Sequence, residues 1–528
     1  MISVISFLTA NDSAGDMKWQ SGIRIFRLCS GNAYPQLTDR YGILATQLSD
    51  IGTYRRHIEY VDKMLSDDEY QEQRRASSMF QKVLIANRGE IAVRIIRACH
   101  EMGIKAAVAY SEADRDSLAV QMADDAICIG PGPSTKSYLN IPNIIEAALL
   151  SNSEAIHPGY GFLSENAGFA EICESCNITF IGPPPAVVAR MGDKVEARKA
   201  AIKAGLPVLP GTPILRTVGD AEAYIDEIGF PLILKAVAGG GGRGIRPVQM
   251  RSEFTHMFTM AQSEVREAFQ DDGIYIERFL PRARHIEIQL LCDSHGNGIH
   301  LGERNCSLQR RRQKVLEEAP SVALDPNLRD EIGAKAVKTA LSIGYQSAGT
   351  MEFLLDDQGR YYFMEMNTRL QVEHPITELV TGIDIVREQL RIAAGEELTI
   401  RQEDVRISGH ALELRICAED ADHDFRPVTG DVEEYLAPGG PGVRVDSHLF
   451  SGYSVPPHYD SLLSKLCVWA PTREEAIARA LRTLDEYQIN GLTTTIPFFK
   501  RLLRYEPYIA GDTYTNFLAD HATSLKIG

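Results

Sequence analysis

The chain has no apolar run long enough to span a bilayer, no paired cysteine motifs of the zinc type and no excess of positive charge. Each shortage removes a class of function. Nine cysteines among 528 residues do not make a disulfide framework. Cys173 and Cys176 form one CxxC without a second pair or nearby histidines, which disfavours a four-ligand zinc site. A formal net charge of −16 argues against general binding to nucleic acid or a membrane surface and points to small anionic ligands, with Arg310, Arg311 and Arg312 as a local patch able to hold phosphate. The opening MISVISFLTAND lacks the basic start and cleavage pattern of a secretory signal, and the acidic residues that follow disfavour an organellar transit peptide. The expected location is the cytoplasm. Two phosphate-binding fingerprints are also missing. Only Gly89 stands where a dinucleotide GxGxxG would begin, and no GK[ST] follows the four-glycine run at Gly239 to Gly242.

What is present describes a multidomain globular protein, 44% hydrophobic and 24% charged. From Lys82 the pattern reads strand (KVLIANRG), helix (EIAVRIIRACHEMG), strand (KAAVAYS), with AICIG, EAIHPGYG and ITFIGPPP as further strands. This predicts a doubly wound parallel sheet. A helix follows Asp193, and a strand carrying Lys235 then runs into Gly239, Gly240, Gly241 and Gly242. Glycines bring backbone N–H groups close to a ligand, so a turn flanked by Lys235 and Arg243 suits a lid over phosphates; a plain mobile loop is the alternative. GIYIERFL, HIEIQLLCD, AGTMEFLLDD and RYYFMEMN give later strands, with helices between Leu328 and Ile343 and over REEAIARALRTLDEYQ.

The densest chemistry lies in FMEMNTRLQVEHP, where Glu365, Asn367, Arg369, Gln371 and Glu373 occupy every second position. In an extended segment they share one face. At about 3.3 Å per residue the row would span on the order of 25 Å, too long for one reacting centre. A bend near Thr368 is therefore expected, the early pair serving one ligand and the later trio another. Glu365, Asn367 and the more distant Glu352 offer the hard oxygen donors that magnesium takes beside nucleotide phosphates, and Arg369 can clamp a planar oxyanion. The alternative is an outward-facing strand with surface ion pairs.

Lys194, Lys235, Glu277, Glu352, Glu365 and Asn367 together resemble the ATP-grasp superfamily. Within it, RGEIAVRIIRA, HPGYGFLSEN, GGGGRG, ERNCSLQRRRQK, EMNTRLQVEHP and HALELRICAED look like biotin carboxylase from Met79 to near the end of the chain. The resemblance implies a multidomain α/β and α+β fold. Residues 1–78 form an extension without a motif, 79–192 a Rossmann-like domain, 193–280 an ATP-grasp lid region, 281–400 its core, and 401–528 a C-terminal domain.

The resemblance also implies roles for single residues. Lys194, Lys235, Gly239 to Gly242, Glu277, Leu280, His285 and Gln309 match the ATP-binding set; a lone histidine such as His285 is otherwise read as a satisfied core residue. Glu352, Glu365 and Asn367 match the ligands of Mg2+ or Mn2+. Lys314, Arg369, Gln371, the backbone of Val372, and Glu373 match a bicarbonate site, with Glu373 as the base. Bicarbonate attack on ATP is then expected to give carboxyphosphate, which decomposes to carbon dioxide and phosphate. Phosphate takes the N1 proton of biotin, and Arg415 matches the cation stabilising the enolate. Tyr160 matches a residue bordering the biotin pocket, its alternative being a turn-packing aromatic. Cys306 is expected in the phosphate-facing loop, more as inert packing than as a reactive thiol.

Two positions depart from the family: Ala238 stands where many relatives have a fifth glycine, and Arg312 where well-known relatives have a histidine. No Met-Lys-Met attachment signature and no carboxyltransferase region occur in the sequence, so the expected reaction is carboxylation of biotin on a separate carrier protein, within acetyl-CoA carboxylase. Carboxyltransferase subunits and a second copy of the chain are the other expected partners. A propionyl-CoA, pyruvate or urea carboxylase component, another ATP-grasp ligase, and a non-catalytic ATP-grasp scaffold are the competing readings.

Overall fold

The computed structural model describes residues 2–3, 26–27, 79–236, 245–269 and 273–528. The chain divides into two compact units, Met1–Ser78 and Met79–Gly528. In the first, Ile2–Ser3 pairs antiparallel with Phe26–Arg27. The expected absence of a motif in residues 1–78 lies mostly outside the described residues, as does the expected glycine lid with Ala238, Gly239 to Gly242 and Arg243.

The second unit opens with a parallel sheet of β1 (Lys82–Ile85), β2 (Lys105–Tyr110), β3 (Asp125–Cys128), β4 (Ala155–His157) and β5 (Thr179–Phe180), ordered β3-β2-β1-β4-β5. β1 is apolar at successive positions because both faces are covered. Val83 and Ile85 pack with α1 (Gly89–Glu101), whereas Leu84 packs with Ile144 of α2 (Ile141–Leu150) and Phe169 of α3 (Ala167–Ser175). The sheet is thus doubly wound, as the strand pattern predicts. Its order reverses between β1 and β4, and the loops leaving the carboxyl ends of these two strands form a crevice there. Asn87 Nδ2 ties them by donating to the carbonyls of Pro158 and Tyr160, both at 2.7 Å.

α4 (Pro185–Gly192) and α5 (Lys194–Ala204) follow. Asp193 caps α5, its side chain accepting from the backbone N–H groups of Val195 at 2.8 Å and Glu196 at 3.0 Å. A small antiparallel sheet of β6 (Leu232–Ala236), β7 (Ile245–Val248) and β8 (Ile274–Arg278), ordered β8-β6-β7, buries one face against α6 (Val218–Ile228) and α7 (Arg251–Phe269).

The largest sheet is antiparallel, with eight strands. It comprises β9 (Arg284–Cys292), β10 (Gly298–Arg310), β11 (Gln313–Ala319), β12 (Ser347–Leu355), β13 (Tyr361–Asn367), β14 (His410–Cys417), β15 (Val443–Ser447) and β16 (Leu462–Ala470), in the order β13-β12-β9-β10-β11-β14-β16-β15. α8 (Pro326–Ser342) covers it between β11 and β12, and α9 (His374–Thr381) follows β13. The sheet runs unbroken past residue 400 through the β11–β14 pairing, which joins Leu316, Glu317, Glu318 and Ala319 to Leu414, Glu413, Leu412 and Ala411. No local pattern in the sequence announces this continuity, because a pairing between strands so far apart leaves no periodic signal.

Candidate functional site

Cross-strand register assembles the site. Arg304 on β10 stands opposite Glu287 on β9, Glu287 opposite Glu352 on β12, and Glu352 opposite Glu365 on β13. Directly paired residues present their side chains to the same face, so one row across four strands carries an arginine and three carboxylates. Like charges placed opposite one another repel, and the row holds only because cations reach into it. Arg304, with no exposed surface, places Nε 2.5 Å from Glu287 Oε1 and donates also to Gln289, Thr377 and Thr350. Lys314 from β11 sends Nζ to Glu287 Oε2 at 2.5 Å, Glu352 Oε1 at 3.0 Å, Gln371 Oε1 at 2.9 Å and Glu373 Oε1 at 2.5 Å.

Electrostatics follow from this crowding. Burial works against the charge on Lys314, but Glu287, Glu352 and Glu373 outweigh it and push the ammonium well above its ordinary pKa. Glu287 is held at about 2: burial raises it, and Lys314 and Arg304 overcome that. Glu352 lies well below the usual range for the same reason: burial raises it, and the Lys314 ammonium outweighs that. Glu365 goes the other way, raised by burial and then by Glu352. It is the carboxylate of the row with the least compensation.

The expected bend occurs at the end of β13. Residues 368–373 leave the strand, and Glu165 pins the corner by accepting from Thr368 N at 3.2 Å and Arg369 Nε at 2.9 Å. Arg369 Nη2 also donates to Asn367 Oδ1 at 3.2 Å. The early pair and later trio do not part as expected: Asn367 Nδ2 and Gln371 Nε2 both donate to Glu352 Oε1 at 2.9 Å, while Gln371 and Glu373 converge on Lys314. Arg415 on β14 completes the cluster, with Nε 2.7 Å from Glu317 Oε1 and Nη2 2.9 Å from Glu373 Oε2.

A second group adjoins Glu365. Lys235 on β6 pairs with Glu277 on β8, and Arg198 Nη1 lies 3.1 Å from the same carboxylate. Lys194, at the start of α5, shares the field of Glu365 and Glu277, and burial lowers its pKa. His285 accepts at Nδ1 from Gln309 Nε2 at 2.6 Å, and its Nε2 lies 2.9 Å from Glu352 Oε2. Leu280 is half-buried just after β8. Tyr160 donates to Glu90 at the crevice of the parallel sheet, where Asn87, Arg88, Gly89, Phe162 and Asp460 also line a cavity of about 120 Å³.

Two expectations change. Cys306 is not in a loop. It lies within β10, fully buried, its Sγ 4.0 Å from Glu373 Oε1. Burial and the surrounding carboxylates push the thiol far up, so it is an inert packing group. Arg310 and Arg311 do not form an open phosphate patch, because both pair with Asp424, and Arg312 donates to Ile245 O at 3.0 Å. Arg311 and Arg312 form the tight turn between β10 and β11 at φ 49° and 67°. Cys173 is buried in α3, and among the described residues neither Cys173 nor Cys176 belongs to a metal-binding cluster.

Glu287, Arg304, Glu317, Glu165 and Arg198 complete the network and were not anticipated as site residues. Glu287 had a legible signal: His285, Glu287 and Gln289 alternate with Ile286, Ile288 and Leu290, the same period-two polarity that marks residues 365–373. The others are fixed by register and turn geometry that no local pattern carries.

Comparison with known proteins places this geometry. The family "Biotin carboxylase, N-terminal domain" matches residues 79–188, "Carbamoyl-phosphate synthase L chain, ATP binding domain" 193–401, and "Biotin carboxylase C-terminal domain" 413–520. The biotin carboxylase of Nostoc sp. is 56% identical over 442 residues, covering 84% of this chain and 99% of the relative. This chain belongs to the biotin carboxylase family. It is an enzyme, a biotin carboxylase with the three-domain architecture of that family. Another relative, one of the subunits of the Methanothermobacter thermautotrophicus pyruvate carboxylase, is 51% identical over 444 residues, covering 84% of this chain and 90% of the relative. Among solved structures, the biotin carboxylase domain dimer of Hydrogenobacter thermophilus 2-oxoglutarate carboxylase, in complex with MgADP, ADP and bicarbonate, matches at a TM-score of 0.81 and 48% identity, over 85% of this chain and 99% of that one. Among the described residues no helix is long and apolar enough to cross a membrane.

Proposed function

We propose that this biotin carboxylase uses ATP and bicarbonate to carboxylate biotin borne on a separate carrier protein, as the first half-reaction of acetyl-CoA carboxylase. The observation that carries the mechanism is the convergence of Lys314, Gln371, Glu373 and Arg415 beside the Glu352–Glu365 pair. Lys314, Arg369, Gln371 and the Val372 amide hold bicarbonate. Glu373 takes its proton, and the freed oxyanion attacks the γ-phosphorus of ATP, whose bond to the bridging oxygen breaks to release ADP and leave carboxyphosphate. Proximity does much of the work, because Glu373 is a weak base among so many cations. Carboxyphosphate decomposes to carbon dioxide and phosphate, phosphate removes the N1 proton of biotin, Arg415 stabilises the charge that develops on the ureido oxygen, and N1 then bonds to the carbon of carbon dioxide to give carboxybiotin. Biotin enters beside Tyr160. Lys194, Lys235, Glu277, Leu280, His285, Gln309 and the glycines from Gly239 to Gly242 bind ATP.

A divalent metal fits Glu352, Glu365 and Asn367. Two carboxylates face each other across β12 and β13, and burial followed by Glu352 raises the pKa of Glu365 despite Lys194 and Lys235 nearby, the environment a magnesium or manganese ion relieves. When bound, the ion neutralises phosphate charge as the nucleophile approaches. The domain divisions near residues 192, 280 and 400, a homodimeric state and a cytoplasmic location belong to the same reading.

A separate carrier is supported by the Methanothermobacter relative, which is named as one subunit of its carboxylase. That relative also makes pyruvate carboxylase the competing assembly. ADP release measured with and without bicarbonate tests the chemistry: strict bicarbonate dependence, stimulated by free biotin, is expected, and its absence in folded protein removes the reading. Reconstitution with a biotinylated carrier and each carboxyltransferase tests the acceptor. Malonyl-CoA is the expected product, and oxaloacetate would assign the chain to a pyruvate carboxylase.

A further inference from the structure

Lys465 on β16 has no exposed surface, yet its ammonium is not spent only on carboxylates. Nζ lies 2.9 Å from the backbone carbonyl of Val372, 3.1 Å from Glu90 Oε2 and 3.8 Å from Asp446 Oδ2, with Glu413 and Cys467 also in its field. A buried ammonium needs every partner it can find, and here its shortest contact is to the loop between Arg369 and Glu373. The peptide on the other side of Val372 is held as well. Gln371 O lies 2.8 Å from His374 Nδ1 and accepts from His374 N at 3.3 Å. With both flanking carbonyls fixed, the direction of the Val372 N–H is fixed, and so is the start of the Glu373 side chain.

The contact continues to the crevice of the parallel sheet. Glu90, in the first turn of α1, offers one oxygen to Lys465 and accepts at the other from the Tyr160 hydroxyl. Tyr160 lines the cavity with Arg88 and Asp460. Tyr160, Glu90, Lys465 and Val372 thus form one chain of polar contacts from the cavity to the loop. They come from four distant parts of the sequence.

Resting on the bicarbonate and biotin assignments above, we infer that Lys465 is a positioning residue that sets the Val372–Glu373 peptide for bicarbonate, and that Glu90 couples it to occupancy of the Tyr160 cavity. Neither residue touches a reacting atom. Both act through the loop.

The test is steady-state ADP release by the full chain, with KM measured separately for bicarbonate and ATP. Lys465→Met keeps the length of the side chain and removes the donor; bicarbonate KM is expected to rise about tenfold while ATP KM stays within about twofold. Glu90→Gln keeps an acceptor for Tyr160 but weakens the pair with Lys465; it is expected to lower the stimulation by free biotin about fivefold. In the double variant the bicarbonate KM is expected to match that of Lys465→Met alone, since both act through one contact, whereas independent structural damage multiplies. The double variant also removes one carboxylate stranded by loss of the lysine, and Glu90→Gln alone remains readable if Lys465→Met does not fold. An unchanged bicarbonate KM, or an ATP KM rising in step with it, overturns the positioning role. Unaltered biotin stimulation in Glu90→Gln overturns the coupling. Wild-type turnover indifferent to bicarbonate overturns the underlying assignments and this inference together, and is seen before any substitution is made.

Discussion

Glu373 is gripped by two cations from different strands: Arg415 Nη2 lies 2.9 Å from its Oε2, and Lys314 Nζ lies 2.5 Å from its Oε1. Burial and the nearby Glu287 push this carboxyl up, but Lys314, Arg415 and Arg304 outweigh them and hold it below the usual range. Such a group stays ionised at neutral pH, ready to accept a proton but with little affinity for it. Placement therefore matters more than basicity. Glu373→Gln is expected to lower bicarbonate-dependent ADP release by at least about a hundredfold, with ATP affinity by calorimetric titration changed less than about twofold. Turnover near the wild-type rate would remove Glu373 as the base.

The Glu352–Glu365 pair gives a prediction for metal removal. Burial, and then the facing Glu352, raise the pKa of Glu365, so a divalent ion should bind there more weakly as pH falls and protons compete. In the wild type, chelation of Mg2+ is expected to weaken ADP binding. Glu365→Gln removes one hard oxygen charge and relieves the repulsion, so its thermal stability without metal should equal or exceed that of the wild type. Its ADP affinity should be nearly the same with and without Mg2+. Retained magnesium sensitivity in this variant would place the ion elsewhere.

Arg304 tests how the row of carboxylates is held. It is wholly buried with Glu287 as its counter-ion, and four side chains accept from its guanidinium. Arg304→Met strands Glu287 with Lys314 alone, which is expected to cost about 3 to 5 kcal/mol in urea unfolding. Adding Glu287→Gln should recover part of that loss, because the orphaned charge is gone. A single variant within about 1 kcal/mol of wild type would mean that the row does not depend on Arg304.

The row from Glu365 to Glu373 was legible because strand alternation and a later bend both leave marks in local sequence. The parallel sheet was legible for a similar reason, since βαβ units switch hydrophobic period at each turn. Glu317 was not legible. Its part in the site comes from Arg415 arriving across the β11–β14 pairing, a contact between segments about a hundred residues apart that hydropathy cannot express. Glu165 sits inside a motif that sequence comparison flags, yet its task of pinning Thr368 and Arg369 depends on where the two loops meet. Cys306 was misplaced because NCSLQRRRQK reads as polar and loop-like, whereas bulges within β10 and its hairpin to β11 keep those polar side chains inside a paired strand.

His448 offers a test of how burial sets the response to acid. It is 3% exposed and packed edge-on to Tyr453; burial, and then Arg88, lower its pKa to about 3. The unfolded chain takes up this proton near pH 6.5, while the folded chain refuses it until about pH 3. Folded-state stability contributed by neutral His448 is therefore lost progressively as pH falls below 6.5, by about 1.4 kcal/mol per pH unit. The whole-protein slope will not display this alone, because Glu317, raised to about 7, favours the folded state as it protonates over much of the same range. The difference between two proteins isolates it. His448→Gln removes the titration, so its unfolding free energy relative to wild type should rise by about 1.4 kcal/mol for each pH unit between 6.5 and 4.5, read from urea melts. Parallel stability curves would show that His448 takes up its proton equally in both states, and that the ring is far better solvated than its packing against Tyr453 implies.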